Sequence, residues 1–495
     1  MPENIRSLIV IVVIATTFFV LSSRYLTTVS EPADFTRRRN IWLGLTFVAF
    51  LGHSFWIYTV IAILLLIYAN RRESNPPALF FFLLFVLPVA TVDIPGIGPI
   101  NYLFELSHQR ILALFVLFPV YLSLKRQSDI IPFGRTGADK ALFAYLLLTA
   151  ILCLRDTSLT NSLRQAFYLV IDVFLPYFVI SRSLKDMKVF RDALLSLVVA
   201  IMIVAALAVI EFLKHWLLYA SLMDVLKLDG MTGYLGRDGM LRANVTAGQA
   251  IALGYLMVVG LGLYLFIQSY IQRNFIRRLG MLLLAAGLIT PLSRGPWIGA
   301  AVLIVIFIVT GRYAARRLMI LALILSFTLP LLSVLPGGER VINLLPFIGT
   351  TEKGNIDYRE QLITNSMIVI KRNLWFGSVD FLKTPEMEAM RQGQGIIDIV
   401  NNYIQVALAT GLVGLVFFVS FFALTLASIY GTMRSISDRD SEEYLLGRSL
   451  LATLVAILFI IFTVANITII PIVYWSVAGM GAAYTQMVRN IVVRI

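Results

Sequence analysis

Acidic residues are missing from a long middle stretch of the chain. From Met240 to Gly338 there is no Asp or Glu. Arg294 lies inside that stretch, in Leu292-Ser293-Arg294-Gly295-Pro296-Trp297, between the apolar runs 279–291 and 298–310. A guanidinium keeps its charge, and holding it at membrane depth costs roughly 2.5–3.5 kcal/mol or more. Either a carboxylate remote in sequence reaches it in the fold, or it awaits an anionic ligand. Other absences narrow the field. Cys153 is the only cysteine, which excludes an internal disulfide and a cysteine metal site. His53, His108 and His215 lie far apart and form no His-x-x-x-His pair, so neither a zinc nor a haem centre is expected and no cofactor is implied. There is no Walker-type phosphate loop, hence no ATP hydrolysis. Internal repeats, low-complexity tracts and an appended soluble domain are lacking as well.

What is present is apolar. Hydrophobic residues make up 59% of 495 and charged residues only 14%, with a mean hydropathy of +0.85. No soluble domain has this composition, so the chain reads as an all-α, polytopic integral membrane protein. A spanning helix needs about 17–25 apolar residues, and runs of this kind recur to give about 14 transmembrane helices by the same measure. The first, residues 5–23, resembles a signal peptide, but the many later spans make it the first transmembrane helix. Residues 41–69 are too long for one upright helix and read as a tilted span or a hairpin turning near Gly52-His53-Ser54. The organisation expected is an N-terminal bundle over 1–335, a large polar outer loop over 336–402, and C-terminal helices over 403–495, together one continuous membrane domain.

The net charge of +13 reflects basic loops that hold the cytoplasmic side, not a nucleic-acid partner. With the C-terminus placed in the cytoplasm, inner loops carry 21 Lys and Arg from Arg71 onward, against 7 in the short outer loops. The N-terminus conflicts with this orientation, because Arg37-Arg38-Arg39 and Arg71-Arg72 flank one segment and both belong inside. A hairpin within 41–69 resolves the conflict. Arg294 and the loop 336–402 then share the outer face. Within the loop, Ile363, Met367, Ile370 and Leu374 fall at helical spacing, with Asp357 before the helix and Asn373 ending it near Gly377.

Three arginines of the outer face stand out: Arg242 in Arg242-Ala243-Asn244, Arg294, and Arg359 in Asp357-Tyr358-Arg359-Glu360. Each offers a rigid donor fork that matches phosphate oxygens two at a time, so together they suit a pyrophosphate at headgroup depth. Taken singly, Arg242 also fits an interfacial anchor, Arg294 a structural ion pair, and Arg359 a solvated charge. At the end of the loop, Asp398-Ile399-Val400-Asn401-Asn402-Tyr403-Ile404-Gln405 runs into a span containing Gly411-Leu412-Val413-Gly414. Asp398 is a candidate general base toward a sugar hydroxyl or, equally, the cap of the next helix, a role open to Asn401 and Asn402 too. Glu105 with His108 forms a second outer cluster, and Glu211 lies near the end of another span. Both carboxylates are candidate counterions for the arginines or alternative bases.

These motifs resemble those of the bacterial O-antigen ligase/polymerase superfamily. Residues 292–297 are similar to its Ser-Arg-Gly signature, and Arg242-Ala243-Asn244 to its other functional arginine. Tyr358-Arg359 with Leu374-Trp375-Phe376-Gly377-Ser378 resembles its outer-loop pattern, and Asn401-Asn402-Tyr403-Ile404-Gln405 with Gly411-Leu412-Val413-Gly414 its loop exit. The specific part of the resemblance is the order and spacing of these short motifs from Arg242 to Gly414. It implies a GT-C-like, metal-independent glycosyltransferase of the bacterial inner membrane, facing the periplasm. Its donor would be an undecaprenyl-pyrophosphate-linked glycan, and other polysaccharide assembly proteins would be its partners. Arg294 and Arg242 would stabilise the leaving pyrophosphate and Asp398 would act as base. Arg359, Asn401, Asn402, Tyr403, Glu105, His108 and Glu211 would contact substrate, with Trp297 as a further lining residue. Family ligases carry His-Asn-x-Tyr-Leu at the loop exit. Here Val400 takes the histidine's place, which favours a polymerase of lipid-linked repeat units over a ligase to lipid A-core or protein. A flippase of lipid-linked sugars is the alternative from a different class.

Overall fold

In the computed structural model the described residues are 1–26, 30–98, 100–128, 130–156, 158–228, 236–237, 239–334, 353–392, 395–467 and 469–494. They are mostly helical, 74% of the chain. Among the described residues, six helices are long and apolar enough to cross a membrane: Glu3–Ser23, Leu159–Ser183, Met187–Lys214, Ala250–Tyr270, Asn402–Arg434 and Glu442–Ile460. Phe55–Asn70 and Arg294–Val309 are shorter apolar helices. Large apolar side chains point outward from several helices, among them Leu64 at 62%, Leu282 at 65% and Phe327 at 75% exposure. Such surfaces suit lipid rather than water. The expected all-helical chain gains two small antiparallel hairpins, Thr91–Pro95 with Tyr102–Ser107 and Gly236–Arg237 with Met240–Leu241.

The chain divides into two compact units. The first comprises 1–131, 167–293 and 468–495. Its centre is the helix Met187–Lys214, packed on Pro76–Leu83, Ala250–Ile267 and Asn274–Ile289. Small residues let these helices approach closely. A methyl on Gly260 would come within 2.7 Å of Ile201, and one on Gly287 within 2.9 Å of Ala205.

The segment 41–69 is a hairpin. One helix ends at Leu51 and the next starts at Phe55, with Ser54 capping by accepting from Trp56 N–H and His53 at a left-handed φ of 52°. Arg37 donates to the carbonyl of Arg72, so the two arginine clusters share one end of this unit. A buried ion cluster sits beside them. Arg38 holds Asp192 through both oxygens, at 2.7 and 2.8 Å, and Glu73 at 2.6 Å.

The second unit comprises 132–166 and 294–467. In it Asn402–Arg434 packs on Gly137–Cys153, and Arg294–Val309 packs on Glu442–Ile460. The helix expected in the loop spans Lys353–Arg372. It begins before Asp357, which lies inside it, while residues 335–352 of the loop lie outside the described residues. Its buried face is Leu362, Ser366, Val369 and Ile370, whereas Ile363 and Met367 are exposed. Ser366, a polar residue on this buried face, donates to Met387 Sδ at 3.8 Å. Met387, Met390, Ile399, Ala407 and Leu408 complete this small core.

Candidate functional site

The Arg242 motif lies in the first unit. The hairpin Gly236–Arg237/Met240–Leu241 turns at Gly239, whose φ of 75° suits glycine. Arg242 then donates through Nε to the Pro291 carbonyl at 3.0 Å and through Nη2 to Ser293 Oγ at 2.9 Å. Arg237 donates to the Leu292 carbonyl. Two arginines therefore fix the turn that leads into Arg294, and Leu292 adopts a left-handed φ of 47° there. Such a backbone is uncommon outside glycine and persists where its surroundings enforce it. Sequence reading gave Arg237 no task beyond its charge.

Glu211, fully buried, accepts three backbone N–H groups, from Leu218 at 2.9 Å, Asn244 at 3.1 Å and Val245 at 3.0 Å. It thus shapes the backbone just after Arg242. The Glu105 carboxylate lies 3.7 Å from Arg110, which also pairs with Asp172 at 2.9 Å. The partners of Glu211 are thus backbone amides, and that of Glu105 is Arg110. His108 is buried, with Nδ1 2.7 Å from the Tyr58 hydroxyl and Nε2 2.8 Å from the Leu83 carbonyl.

The second unit gathers the remaining residues around one turn, 461–466, which joins the last two helices. Arg294 opens the helix Arg294–Val309. Its neighbour Gly295 abuts Thr463 so closely that a methyl there would overlap the threonine hydroxyl. Arg359 donates from Nη2 to the Thr463 carbonyl at 3.2 Å. Asn402 N–H donates to the Ile461 carbonyl at 2.9 Å, Tyr403 donates its hydroxyl to Leu458 O at 2.9 Å, and Gln405 Oε1 accepts from Asn466 N–H at 3.0 Å. Three motifs remote in sequence therefore meet one turn. Its signal in the sequence is slight: Thr463 and Asn466 are isolated polar residues in an apolar run.

Asn401 is the helix cap, accepting from Tyr403 N–H at 2.9 Å and Ile404 N–H at 3.2 Å. Asp398 is thereby excused from capping. Burial pushes its carboxyl above the ordinary carboxylate range, against the pull of the Arg359 guanidinium. Burial likewise lowers Arg359, and Asp398 opposes that shift. The two charges are electrostatic neighbours in a partly dry setting, where attraction exceeds its value in water. Asn402 is 1% exposed, and neither Oδ1 nor Nδ2 has a hydrogen-bond partner among the described residues. Gly393 and Gln394 lie outside those residues.

Two glycines hold this region together. Gly411 bends the helix Asn402–Arg434 at φ 68°, ψ −171°, a conformation essentially reserved for glycine. The segment 374–378 fills the bend, with Leu412 N–H donating to Leu374 O at 2.8 Å and Ser378 N–H to Leu408 O at 2.9 Å. At Gly377, φ 61°, a methyl would come within 2.5 Å of the Leu408 carbonyl. Arg155 caps the crossing by donating to Phe376 O at 2.8 Å and Gly377 O at 3.1 Å.

Apolar spanning helices with a cluster of charged and amide side chains at a helix break define a polytopic membrane protein with a built polar site. Residues 279–419 match the O-antigen ligase family, and that stretch is a domain of the O-antigen ligase/polymerase superfamily. It takes in Arg294, Arg359, Asp398 and 401–403, and leaves out Arg242 and the turn 461–466. The match points to a membrane enzyme that transfers glycans. No curated protein matches the chain.

Proposed function

We propose that this protein polymerises undecaprenyl-pyrophosphate-linked oligosaccharide repeat units at the periplasmic face of the bacterial inner membrane, through about 14 membrane-spanning segments, a count consistent with the runs a bilayer requires. The observation that carries this reading is the meeting of the Ser-Arg-Gly motif, Arg359 and Asn401-Asn402 on the turn 461–466, inside a domain of the glycan-transferring family. An acceptor hydroxyl attacks the anomeric carbon of the donor sugar. The bond from that carbon to the pyrophosphate oxygen breaks, and the lipid pyrophosphate leaves with the electron pair. Fixed cations stabilise the charge that develops: Arg294 and Arg242, with Arg359 assisting. Asp398 takes the hydroxyl proton. Asn401, Asn402 and Tyr403 orient the sugars, and Glu105, His108 and Glu211 support the substrate-binding region. Because arginines carry the charge, no metal is needed. Val400, where family ligases carry histidine, favours a polymerase over a ligase, and other polysaccharide assembly proteins are the expected partners.

Glycan analysis of a deletion strain tests this. Single-repeat products are expected, with lipid-linked units accumulating on the periplasmic leaflet. Long lipid-linked chains left unattached would instead identify a ligase, and accumulation on the cytoplasmic leaflet a flippase. Purified protein should elongate lipid-linked repeats in EDTA, and a strict need for a divalent cation would overturn the arginine mechanism.

A base must be ionised to accept a proton. Product formation should therefore rise with pH through a midpoint above about 3.9, the ordinary aspartate value. Replacing Arg359 with Gln removes the cation that favours the carboxylate, so the midpoint should move upward. An Asp398→Asn variant that retains full activity would remove this residue from the base's role.

A further inference from the structure

The first unit contains a cavity of about 310 Å³ that the proposed reaction does not use. It is lined by the chain after the helix Phe118–Lys125 (Ile130, Ile131), by the connection 181–187, and by Gln486, Met487 and Asn490 of the last helix. Arg182 is 3% exposed. It donates from Nη1 to Ser181 Oγ at 2.7 Å, and its guanidinium lies 5.2 Å from the Phe178 ring centroid. A second cation, Lys185, is exposed and 3.2 Å from Gln127 Oε1. Gln486 Nε2 is a buried donor with no partner among the described residues. The lining holds one acid, Asp186, whose carboxylate accepts from Val189 N–H at 2.9 Å as the cap of Met187–Lys214.

The site is therefore rich in donors and net positive, and the N-terminus of a 28-residue helix adds positive potential beside it. The rest of its lining is largely apolar: Ile130, Ile131, Leu184, Met187 and Met487. A ligand that suits both kinds of lining joins a phosphate to hydrocarbon. The segments involved lie at the end of the unit where Lys188 meets Glu31 at 2.8 Å and Arg37 meets the Arg72 carbonyl. This is the end on which the basic residues gather, and basic pockets between helices at such an end take phospholipid headgroups.

We propose that this cavity binds the phosphate of an anionic phospholipid, with Arg182, Lys185 and Gln486 as its donors and the apolar lining receiving the start of the acyl region. The test is native mass spectrometry of the full-length protein in detergent, titrated with phosphatidylglycerol. Phosphatidylcholine serves as the zwitterionic comparison and glycerol-3-phosphate as the free phosphate. Phosphatidylglycerol adducts should persist where phosphatidylcholine adducts are lost. Lys185→Ala should weaken them about five-fold, the equivalent of roughly 1 kcal/mol for one basic side chain at a lipid surface. Gln486→Leu, which keeps the charge, should weaken them too. Because Lys185 is exposed, its loss leaves the helix packing intact, and Arg182 need not be disturbed. Equal retention of phosphatidylglycerol by both variants and the parent would overturn the proposal. So would displacement of the lipid by glycerol-3-phosphate at equal concentration, which would make a free phosphate the occupant.

Discussion

Arg294→Ala should lower polymer formation about 10²–10³-fold, the usual cost of removing one preorganised donor from a developing negative charge, while the protein still accumulates in the membrane. The reasoning starts from cost. A cation beside two apolar runs, in a stretch of sequence that lacks acids, is expensive to keep. Its position at the first turn of Arg294–Val309 places it where the helix dipole also favours an anion. Arg294→Lys keeps the charge but loses the planar fork, so it should recover only part of the activity. Unchanged glycan length in Arg294→Ala cells would refute the role.

Gly411→Ala should destabilise the second unit by about 2–6 kcal/mol, combining backbone strain with overpacking. The new methyl would overlap the Trp375 carbonyl, and no side chain can rotate aside because the obstruction is backbone. The amides of Leu412 and Ser378 would lose their present partners as the segments separate. The expected readout is a lower midpoint for heat-induced loss of monodisperse protein in detergent, accompanied by loss of activity. A Gly431→Ala control in the same helix should do less, since nothing lies within 4 Å of the added methyl. An unchanged midpoint for Gly411→Ala would show that the bend is not required.

The sequence made some features plain because they follow from local chemistry. The break at Gly52-His53-Ser54 was visible as a polar interruption in an overlong apolar run. The capping role of Asn401 was among the options because a short amide before a span has few other uses. The family resemblance likewise rested on contiguous motifs, and the matched region covers all of them except Arg242. What escaped was tertiary. By sequence Glu211 is a candidate counterion or base; its carboxylate collects three backbone N–H groups, which no charge pattern announces. The buried face of Lys353–Arg372 takes in Ser366 while Ile363 and Met367 turn outward, a division that helical spacing alone does not reveal. The turn 461–466 was missed because its polar atoms are mainly backbone carbonyls and amides, which every residue carries.

The bend at Gly411 has a further consequence for length. Thirty-three residues of α-helix measure roughly 50 Å, while the hydrocarbon slab of a bilayer is about 30 Å thick. An unbroken rod of that length would have to lean steeply or protrude. Divided at residue 411, it leaves an arm over 412–434 of roughly 35 Å, which crosses with a modest lean. The short arm before the bend, bearing Asn402 and Tyr403, is then released from the direction of the longer one.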